Sequence, residues 1–456
     1  MENFLTLLPP LISLVLAIWK RNILVSLVIG NLVGFVILSG TMAPIEFIIQ
    51  TFYQVVNPSH YQVIIIMLII AGFVELLDKS GGANAFADKM TNWVNTKSKA
   101  MLSTMLTGMA IFFTDSGNSL ILGPLYRPIY DKLNICREKL AYILDSTSSP
   151  VCILIPFISW GLYIMGLIED SYIANSISRD SFDTYLGLYK YQFYPILTLA
   201  FGLLISWWGK DFGIMKKYQN NLKFQHELDT NSSLKATKVR FVLLPLGFLL
   251  ICMVIGFTLM FTINGNITGP YLRLTLISSY LLSTFFLCFE LKKHKVSKFK
   301  NSKKIILSGV KKMINVSGVL VMAWLLSHVC SDLGTAKTLS LLLKDSISGP
   351  ILPSIIFTIG VIASFATGSS WGTMAIIMPI AIGLGVNLDA NLELTIAAVL
   401  SGALFGDHTS PISDTTLLAS VASECEHIDH VKSQLGYAII PGTLSLLLFL
   451  IVGLSQ

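Results

Sequence analysis

The chain of 456 residues is strongly apolar: hydrophobic residues make up 53% of it and charged residues only 13%, and its mean hydropathy is +0.70. Soluble domains carry about 25% charged residues, so this composition excludes a soluble globular protein. The net charge of +6 is concentrated in two basic stretches, within residues 209–240 and 292–312, that adjoin long apolar segments. Such stretches are typical of cytoplasmic loops between membrane helices, and this interpretation is preferred over nucleic-acid binding.

Apolar segments recur along the whole chain. They fall near 4–19, 23–38, 62–77, 100–113, 118–130, 139–168, 191–208, 241–263, 271–290, 313–330, 350–366, 370–385, 392–406 and 436–454. Several approach the roughly 20 residues that cross a bilayer as a helix, whereas others are interrupted. We therefore predict an all-α polytopic membrane protein with about 10–13 transmembrane segments, forming a single transporter domain over residues 1–456.

Four polar interruptions form two similar pairs, at 114–119 and 145–150 and again at 367–372 and 406–411. Each pair reads as a polar break, a proline, a helical run, and then Asp-x-Thr-Ser with a proline just after it. Broken helices at corresponding places in two halves indicate the binding site of a secondary transporter. We predict two repeats with broken or re-entrant helices, with cores at residues 60–168 and 313–425. Chance similarity is the alternative, and inversion of the repeats depends on the number of crossings between them.

Four carboxylates lie in or beside these interruptions: Asp115, Asp145, Asp407 and Asp414. A charged carboxylate at the bilayer centre costs about 2.5–3.5 kcal/mol, so folding alone gives no reason to keep them there. Neighbouring hydroxyl and amide oxygens are hard ligands that suit an alkali cation. The alternative for each aspartate is a role as a helix cap or at a helix end. The predicted ion- and substrate-binding residues are Asp115, Asn118, Asp145, Ser146, Thr147, Ser148, Thr367, Ser369, Ser370, Asp407, Thr409, Ser410, Ser413 and Asp414.

Other chemistry has weaker support. Residues 425–430, Cys-Glu-His-Ile-Asp-His, place two histidines one helical turn apart, but without a further ligand set they indicate a solvated helix cap rather than zinc. The chain has no G-x-x-x-x-G-K-[ST] motif, so transport is expected to use an ion gradient, without a cofactor. An intramembrane hydrolase is disfavoured because neither G-x-S-x-G nor H-E-x-x-H occurs. A passive channel is a further alternative.

Residues 405–416 read Phe-Gly-Asp-His-Thr-Ser-Pro-Ile-Ser-Asp-Thr-Thr. This segment resembles the signature of the NhaC-type sodium/proton antiporters. Residues 137–147 resemble another part of that signature. The resemblance covers most of the chain from about residue 60 onward. It implies an inverted-repeat ion-transporter fold with sodium held by Asp145, Thr147, Asp407 and Thr409. Asp414 and Ser410 would complete the site.

The resemblance predicts exchange of sodium for protons by alternating access. Relatives often have two consecutive acids where this chain has Thr114-Asp115, which puts proton coupling in question. Sodium-coupled transport of an amino acid or organic acid is therefore the alternative function. The expected partners are sodium ions, protons and the lipid bilayer, and under the alternative function also a small organic solute. A second copy of the chain is a further expected partner, in a homodimer. Nucleic acid is not expected. The expected location is a bacterial cytoplasmic membrane.

Overall fold

The computed structural model describes residues 4–20, 22–91, 94–220, 237–264, 269–296, 299–343 and 348–456. Every regular element in these ranges is a helix. The helices of the first half are α1 Leu8–Lys20, α2 Ile23–Ser39, α3 Ala43–Val56, α4 Pro58–Lys79, α5 Gly82–Thr91, α6 Lys97–Ala110, α7 Asp115–Lys132, α8 Arg137–Ser146, α9 Ser149–Cys152, α10 Ser159–Ala174 and α11 Ser181–Gly187. Those that follow are α12 Phe193–Trp208, α13 Gly213–Asn220, α14 Arg240–Asn264, α15 Gly269–Lys293, α16 Phe299–Asp332, α17 Thr335–Leu343, α18 Leu352–Thr367, α19 Ser370–Asn387, α20 Leu392–Thr409, α21 Asp414–Ser423 and α22 His427–Leu454.

Eight helical segments in the described ranges are long and apolar enough to cross a membrane. They are Ile23–Val56, Pro58–Lys79, Arg240–Ile263, Tyr271–Lys293, Asn301–Asp332, Gly349–Thr367, Ser370–Asn387 and His427–Leu454. Helices close all their backbone hydrogen bonds internally, which is the condition for crossing the apolar bilayer core. The predicted all-α polytopic membrane architecture is confirmed. The predicted total of about 10–13 segments would additionally require shorter or broken helices to cross.

The four predicted interruptions are all helix breaks. In the first half, α6 ends before α7 begins at Asp115, and α8 ends at Ser146 before the short α9. In the second half, α18 ends at Thr367 before α19, and α20 ends at Thr409 before α21. The same order of breaks therefore occurs twice, within the two predicted repeat cores. Inversion of one repeat relative to the other stays a prediction.

Glycines allow α18 and α20 to pack backbone against backbone. A Cβ atom added at Gly402 would lie 2.4 Å from the Phe357 carbonyl oxygen, and one at Gly406 would lie 2.3 Å from the Val361 carbonyl oxygen. Small residues at a helix interface permit this approach, which strengthens dispersion contacts where lipid supplies no hydrophobic driving force. This close packing holds the end of α20, with Asp407, against the end of α18.

Two segment boundaries differ from the sequence-based expectation. The apolar stretch 139–168 is divided among α8, α9 and α10, because polar residues and prolines interrupt it. Residues 299–312 are the first part of α16 rather than a loop, since lysine is a good helix former and its charge stays on an exposed face. Of the predicted loop 209–240, residues 221–236 lie outside the described residues. The cytoplasmic side of both basic stretches stays a prediction.

Candidate functional site

A cavity of about 780 Å³ lies between the two pairs of broken helices. Residues from α2, α4, α7, α9, α10, α16, α18, α19, α20 and α21 line it, together with the breaks before α7 and α19. Six of the predicted binding residues line this cavity: Asp115, Thr367, Ser369, Ser370, Asp407 and Asp414. Because these residues are up to 299 positions apart in the chain, only the packing of the two halves brings them to one space.

The two first breaks are built alike. Thr114 caps α7 by accepting a hydrogen bond from the Gly117 amide at 3.0 Å, and Ser369 caps α19 by accepting from the Gly372 amide at 3.3 Å. Both helices therefore direct their N-termini, with partial positive charge, toward the cavity. Gly368 ends α18 with a left-handed φ of +63°, and a Cβ there would lie 2.6 Å from the Ile412 carbonyl oxygen. The break between α18 and α19 thus contacts the break between α20 and α21 at Gly368.

Asp407 is the buried carboxylate of the cavity wall, with 4% of its surface exposed. Its Oδ2 atom accepts a hydrogen bond from the Ser370 hydroxyl. Its Oδ1 atom is buried and has no hydrogen-bond partner within the described part of the chain. A buried carboxylate oxygen without a donor is costly, and a proton or a cation would satisfy it. This atom is therefore an available ligand position.

Asp115 and Asp414 are the other carboxylates among these six residues. Asp115, half-buried, accepts at Oδ1 from the Ser116 amide at 2.6 Å and at Oδ2 from the Trp160 indole at 3.1 Å. Asp414 is exposed to the cavity as the first residue of α21. Both are the first residue of a helix, directly after the N-caps Thr114 and Ser413, and a negative charge there is favourable with the helix dipole. Each nevertheless also faces the cavity.

Asp145 lies apart from the cavity, in a buried polar cluster. It is 1% exposed and belongs to the last turn of α8, so it is not a helix N-cap. Its Oδ2 atom accepts from the Thr416 hydroxyl at 2.8 Å and from the Gln434 amide nitrogen at 2.6 Å. His430 Nε2 is 3.7 Å from the same oxygen. Asp145 and Asp407 thus occupy different environments, although their sequence motifs are alike.

Neighbours of these two aspartates connect the halves. Ser146 Oγ and His408 Nε2 are 3.3 Å apart, and His408 Nδ1 lies 2.7 Å from the Tyr194 hydroxyl oxygen. The Gln434 amide nitrogen also donates to the His408 carbonyl oxygen. A continuous chain of polar contacts therefore runs from Asp145 through Gln434 to the residue next to Asp407.

The remaining predicted ligands stabilise the breaks. Thr147 and Thr409 donate to the carbonyl oxygens of Ile143 and Phe405, one turn earlier, both at 2.8 Å. Asn118 is fully buried and donates to the carbonyl oxygens of Gly108 at 3.0 Å and Thr147 at 2.8 Å.

Two of the other three hydroxyls connect neighbouring helix breaks, and the third contacts a nearby hydroxyl. Ser148 donates to the Asp115 carbonyl oxygen at 2.8 Å, and Ser410 donates to that of Phe365 at 2.7 Å. Ser413 Oγ lies 3.0 Å from Thr415 Oγ1. The bonds to carbonyl oxygens give backbone acceptors near the helix breaks a side-chain donor.

The sequence prediction missed several residues near these sites. Gln434 and His430 lie on α22, and the indoles of Trp160 and Trp371 line the cavity. The expectation of a solvated cap at residues 425–430 is wrong for His430, which is fully buried because α22 packs its first turns against α8. No group of three or more metal-ligating side chains occurs in the described ranges. In the sequence, only the polar residues at positions 430 and 434, one turn apart in an apolar helix, could have indicated that this face of α22 contacts Asp145.

A family model described as the Na+/H+ antiporter family matches residues 7–150 and 151–454 of the chain. The chain belongs to the Na+/H+ antiporter family. It is therefore a membrane transporter by family, as the NhaC-type resemblance predicted.

Individual relatives are similar to this chain over different shares of its length. An uncharacterized protein of Haemophilus influenzae is 30% identical over 99% of this chain and 91% of its own length. The arginine/ornithine antiporter ArcD of Halobacterium salinarum is 39% identical over 23% of this chain and 22% of its own length. The Na+/H+ antiporter NhaC of Alkalihalophilus pseudofirmus is 32% identical over 30% of this chain and 29% of its own length.

The fold is similar to the crystal structure of the YdaH transporter of Alcanivorax borkumensis. The TM-score is 0.69, with 12% sequence identity, over 92% of this chain and 90% of that chain. At this identity the similarity shows the fold alone.

Proposed function

We propose that this transporter exchanges sodium for protons across a bacterial cytoplasmic membrane by alternating access. The observation that carries the proposal is Asp407, buried at the cavity wall with one carboxylate oxygen that lacks a donor. A carboxylate in this position accepts either a proton or a sodium ion, but not both at the same oxygen. The NhaC relative, named as a Na+/H+ antiporter, supports the same exchange.

Competition at one carboxylate would produce obligatory exchange. An ionised and unpaired Asp407 would be a buried charge, which is unfavourable when helices move and close the cavity to water. Protonation removes this charge, and sodium compensates it. The carrier would therefore reorient when loaded with either ion and resist reorientation when empty. Ser370 would supply a second oxygen to sodium, since its hydroxyl already contacts Asp407.

Asp145 has a different proposed role. Hydrogen bonds from Thr416 and Gln434 already satisfy its Oδ2 atom, and it does not line the cavity. We assign the exchanged ion to Asp407 and propose that Asp145, with Thr147 nearby, is an inner carboxylate. It would receive an ion only when the helix breaks rearrange. Asp145→Asn should then slow exchange, whereas Asp407→Asn should abolish it.

The test uses the full chain in proteoliposomes that hold a proton gradient, with a pH-sensitive dye. Sodium added outside should collapse the gradient in the wild type. Asp407→Asn should give no sodium-dependent signal, because an amide neither ionises nor exchanges a proton. The control is Asp183→Asn, which changes an exposed acid of α11 outside the cavity. Normal exchange by Asp407→Asn would refute the assignment.

A second candidate function is sodium-coupled transport of an amino acid or organic acid. The cavity of about 780 Å³ favours it, because this volume falls within the 300–1,000 Å³ typical of small-molecule sites. The ArcD relative is named for organic solutes, arginine and ornithine. Absence of sodium-driven proton release in a correctly inserted wild-type chain, with sodium-dependent uptake of a labelled amino acid or dicarboxylate, would favour this candidate.

A further inference from the structure

Two indole rings and five carboxylates share the lining of the cavity. We propose that its organic solute carries a protonated amine, as in a diamine or an amino acid; this rests on the second candidate function above. Trp160 and Trp371 come from different halves of the chain, and their ring centroids are 4.6 Å apart with planes inclined by 54°. The carboxylates are Asp115, Asp407 and Asp414 at the helix breaks, with Glu75 and Asp78 of α4, which lie beside lysines. Aromatic faces beside carboxylates form a typical site for an organic ammonium group.

The cavity is larger than an alkali ion requires. A water molecule occupies about 30 Å³ in the liquid, so the volume of about 780 Å³ corresponds to many waters. Hard oxygen ligands alone would suffice for sodium, and indole rings add nothing to that coordination. The two tryptophans are therefore best explained by a solute with a carbon skeleton.

The charges of the lining favour a cation. The lysines in the lining are Lys79 and Lys312, and each is close to an acid of α4. Lys312 Nζ is 2.6 Å from Glu75 Oε2, and Lys79 Nζ is 3.9 Å from Asp78 Oδ2. By contrast, across the described ranges no lysine, arginine or histidine nitrogen forms an ion pair with Asp115, Asp407 or Asp414. A solute with only carboxylate groups would meet uncompensated negative charge.

Helix N-termini supply the main opposing charge. The helices α7, α19 and α21 begin at the cavity, and each N-terminus carries about half a positive charge. Three full carboxylates outweigh these partial charges if they are ionised. The N-termini could still receive the carboxylate of an amino acid, provided that its amine faces the aspartates. A diamine and an amino acid would therefore both bind through a protonated amine that faces the aspartates.

Contacts behind the two rings hold them in place. The Trp160 indole donates to Asp115, and Trp160 as a whole is 4% exposed. The Trp371 carbonyl oxygen accepts from the Tyr163 hydroxyl at 2.7 Å, and the Tyr163 ring centroid is 4.6 Å from that of Trp371. Rings that are fixed before binding lose little conformational freedom on binding a cation. Trp371, half-buried, is the ring that an experiment can change with less loss of packing.

The test measures counterflow of radiolabelled putrescine, lysine and succinate into proteoliposomes preloaded with the same unlabelled compound, with and without sodium. Sodium-driven proton release is recorded on the same preparation. We expect uptake of putrescine or lysine and none of succinate. Trp371→Leu should lower amine uptake about tenfold, and Trp371→Phe should lower it less, because phenylalanine retains an aromatic face. Trp207→Leu, which removes an exposed indole of α12 outside the cavity, should change nothing.

The outcomes separate this inference from the proposed exchange of sodium for protons. Uptake of succinate but of neither amine would overturn the inference, as would equal amine uptake in Trp371→Leu and the wild type. Sodium-driven proton release without uptake of either amine would also overturn it, while leaving sodium–proton exchange supported. Uptake of lysine but not putrescine would support it and assign the solute's carboxylate to the helix N-termini. Loss of both proton release and amine uptake in the folded wild type would overturn both proposals.

Discussion

Gln434 gives the sharpest test of the buried polar cluster. Its amide nitrogen donates to Asp145 Oδ2 at 2.6 Å and to the His408 carbonyl oxygen. Because both neighbours are acceptors, only the nitrogen of the amide can face them. Gln434→Met would keep the length of the side chain and remove both hydrogen bonds. The carboxylate would keep the donor Thr416, but the His408 carbonyl oxygen would lose a partner in a dry environment.

The expected cost follows from these two bonds. A hydrogen bond to a charged group contributes about 1.5–3 kcal/mol, and a buried acceptor left without its donor costs about 1–3 kcal/mol. Side-chain hydrogen bonds measured in membrane proteins contribute less, about 0.6 kcal/mol on average, so we use the lower ends of these two energy ranges. We expect Gln434→Met to lower the free energy of unfolding by about 2–3 kcal/mol. Sodium-driven proton release should fall as well, since Gln434 would no longer connect Asp145 with the His408 carbonyl oxygen.

The measurement is unfolding in mixed micelles with increasing dodecyl sulfate, followed by tryptophan fluorescence, beside proton release in proteoliposomes. The matched control is Gln192→Met. Gln192 is also fully buried, but neither of its amide atoms has a hydrogen-bond partner in the described structure. Its replacement should therefore leave stability unchanged or raise it. Equal effects of the two substitutions on unfolding would refute the argument from hydrogen bonds.

Two further predictions concern the helix breaks and their packing. Gly406→Leu should prevent accumulation of folded protein, because a Cβ there would lie 2.3 Å from the Val361 carbonyl oxygen. The control is Gly436→Ala, because a Cβ added at Gly436 would have no neighbouring atom within 4 Å. This variant should elute from size-exclusion chromatography as the wild type does. Asn118→Leu should lower stability by about 2 kcal/mol, because it removes donors from two buried carbonyl oxygens. Unchanged unfolding of Asn118→Leu in the same micelle assay would contradict the proposed role of this amide in holding the break.

Composition and local order of the sequence predicted much of this protein. An apolar chain with few charges can fold only where the solvent is apolar, and helices are then the elements that satisfy the backbone. The four polar interruptions marked the helix breaks, because a break inside an apolar helix needs local polar groups, prolines or glycines. Asp115, Asp407 and Asp414 were predicted as site residues for this reason, and they line the cavity.

Only the tertiary structure separated Asp145 from Asp407. Their motifs are nearly the same, but α22 brings Gln434 and His430 against Asp145, whereas Asp407 faces the cavity. The pairing of Trp160 with Trp371 likewise depends on the two halves meeting. Local sequence determines where a helix ends, because the relevant hydrogen bonds span only a few residues. Which side chains a carboxylate meets depends on the packing of helices that are distant in the chain, and no local pattern records it.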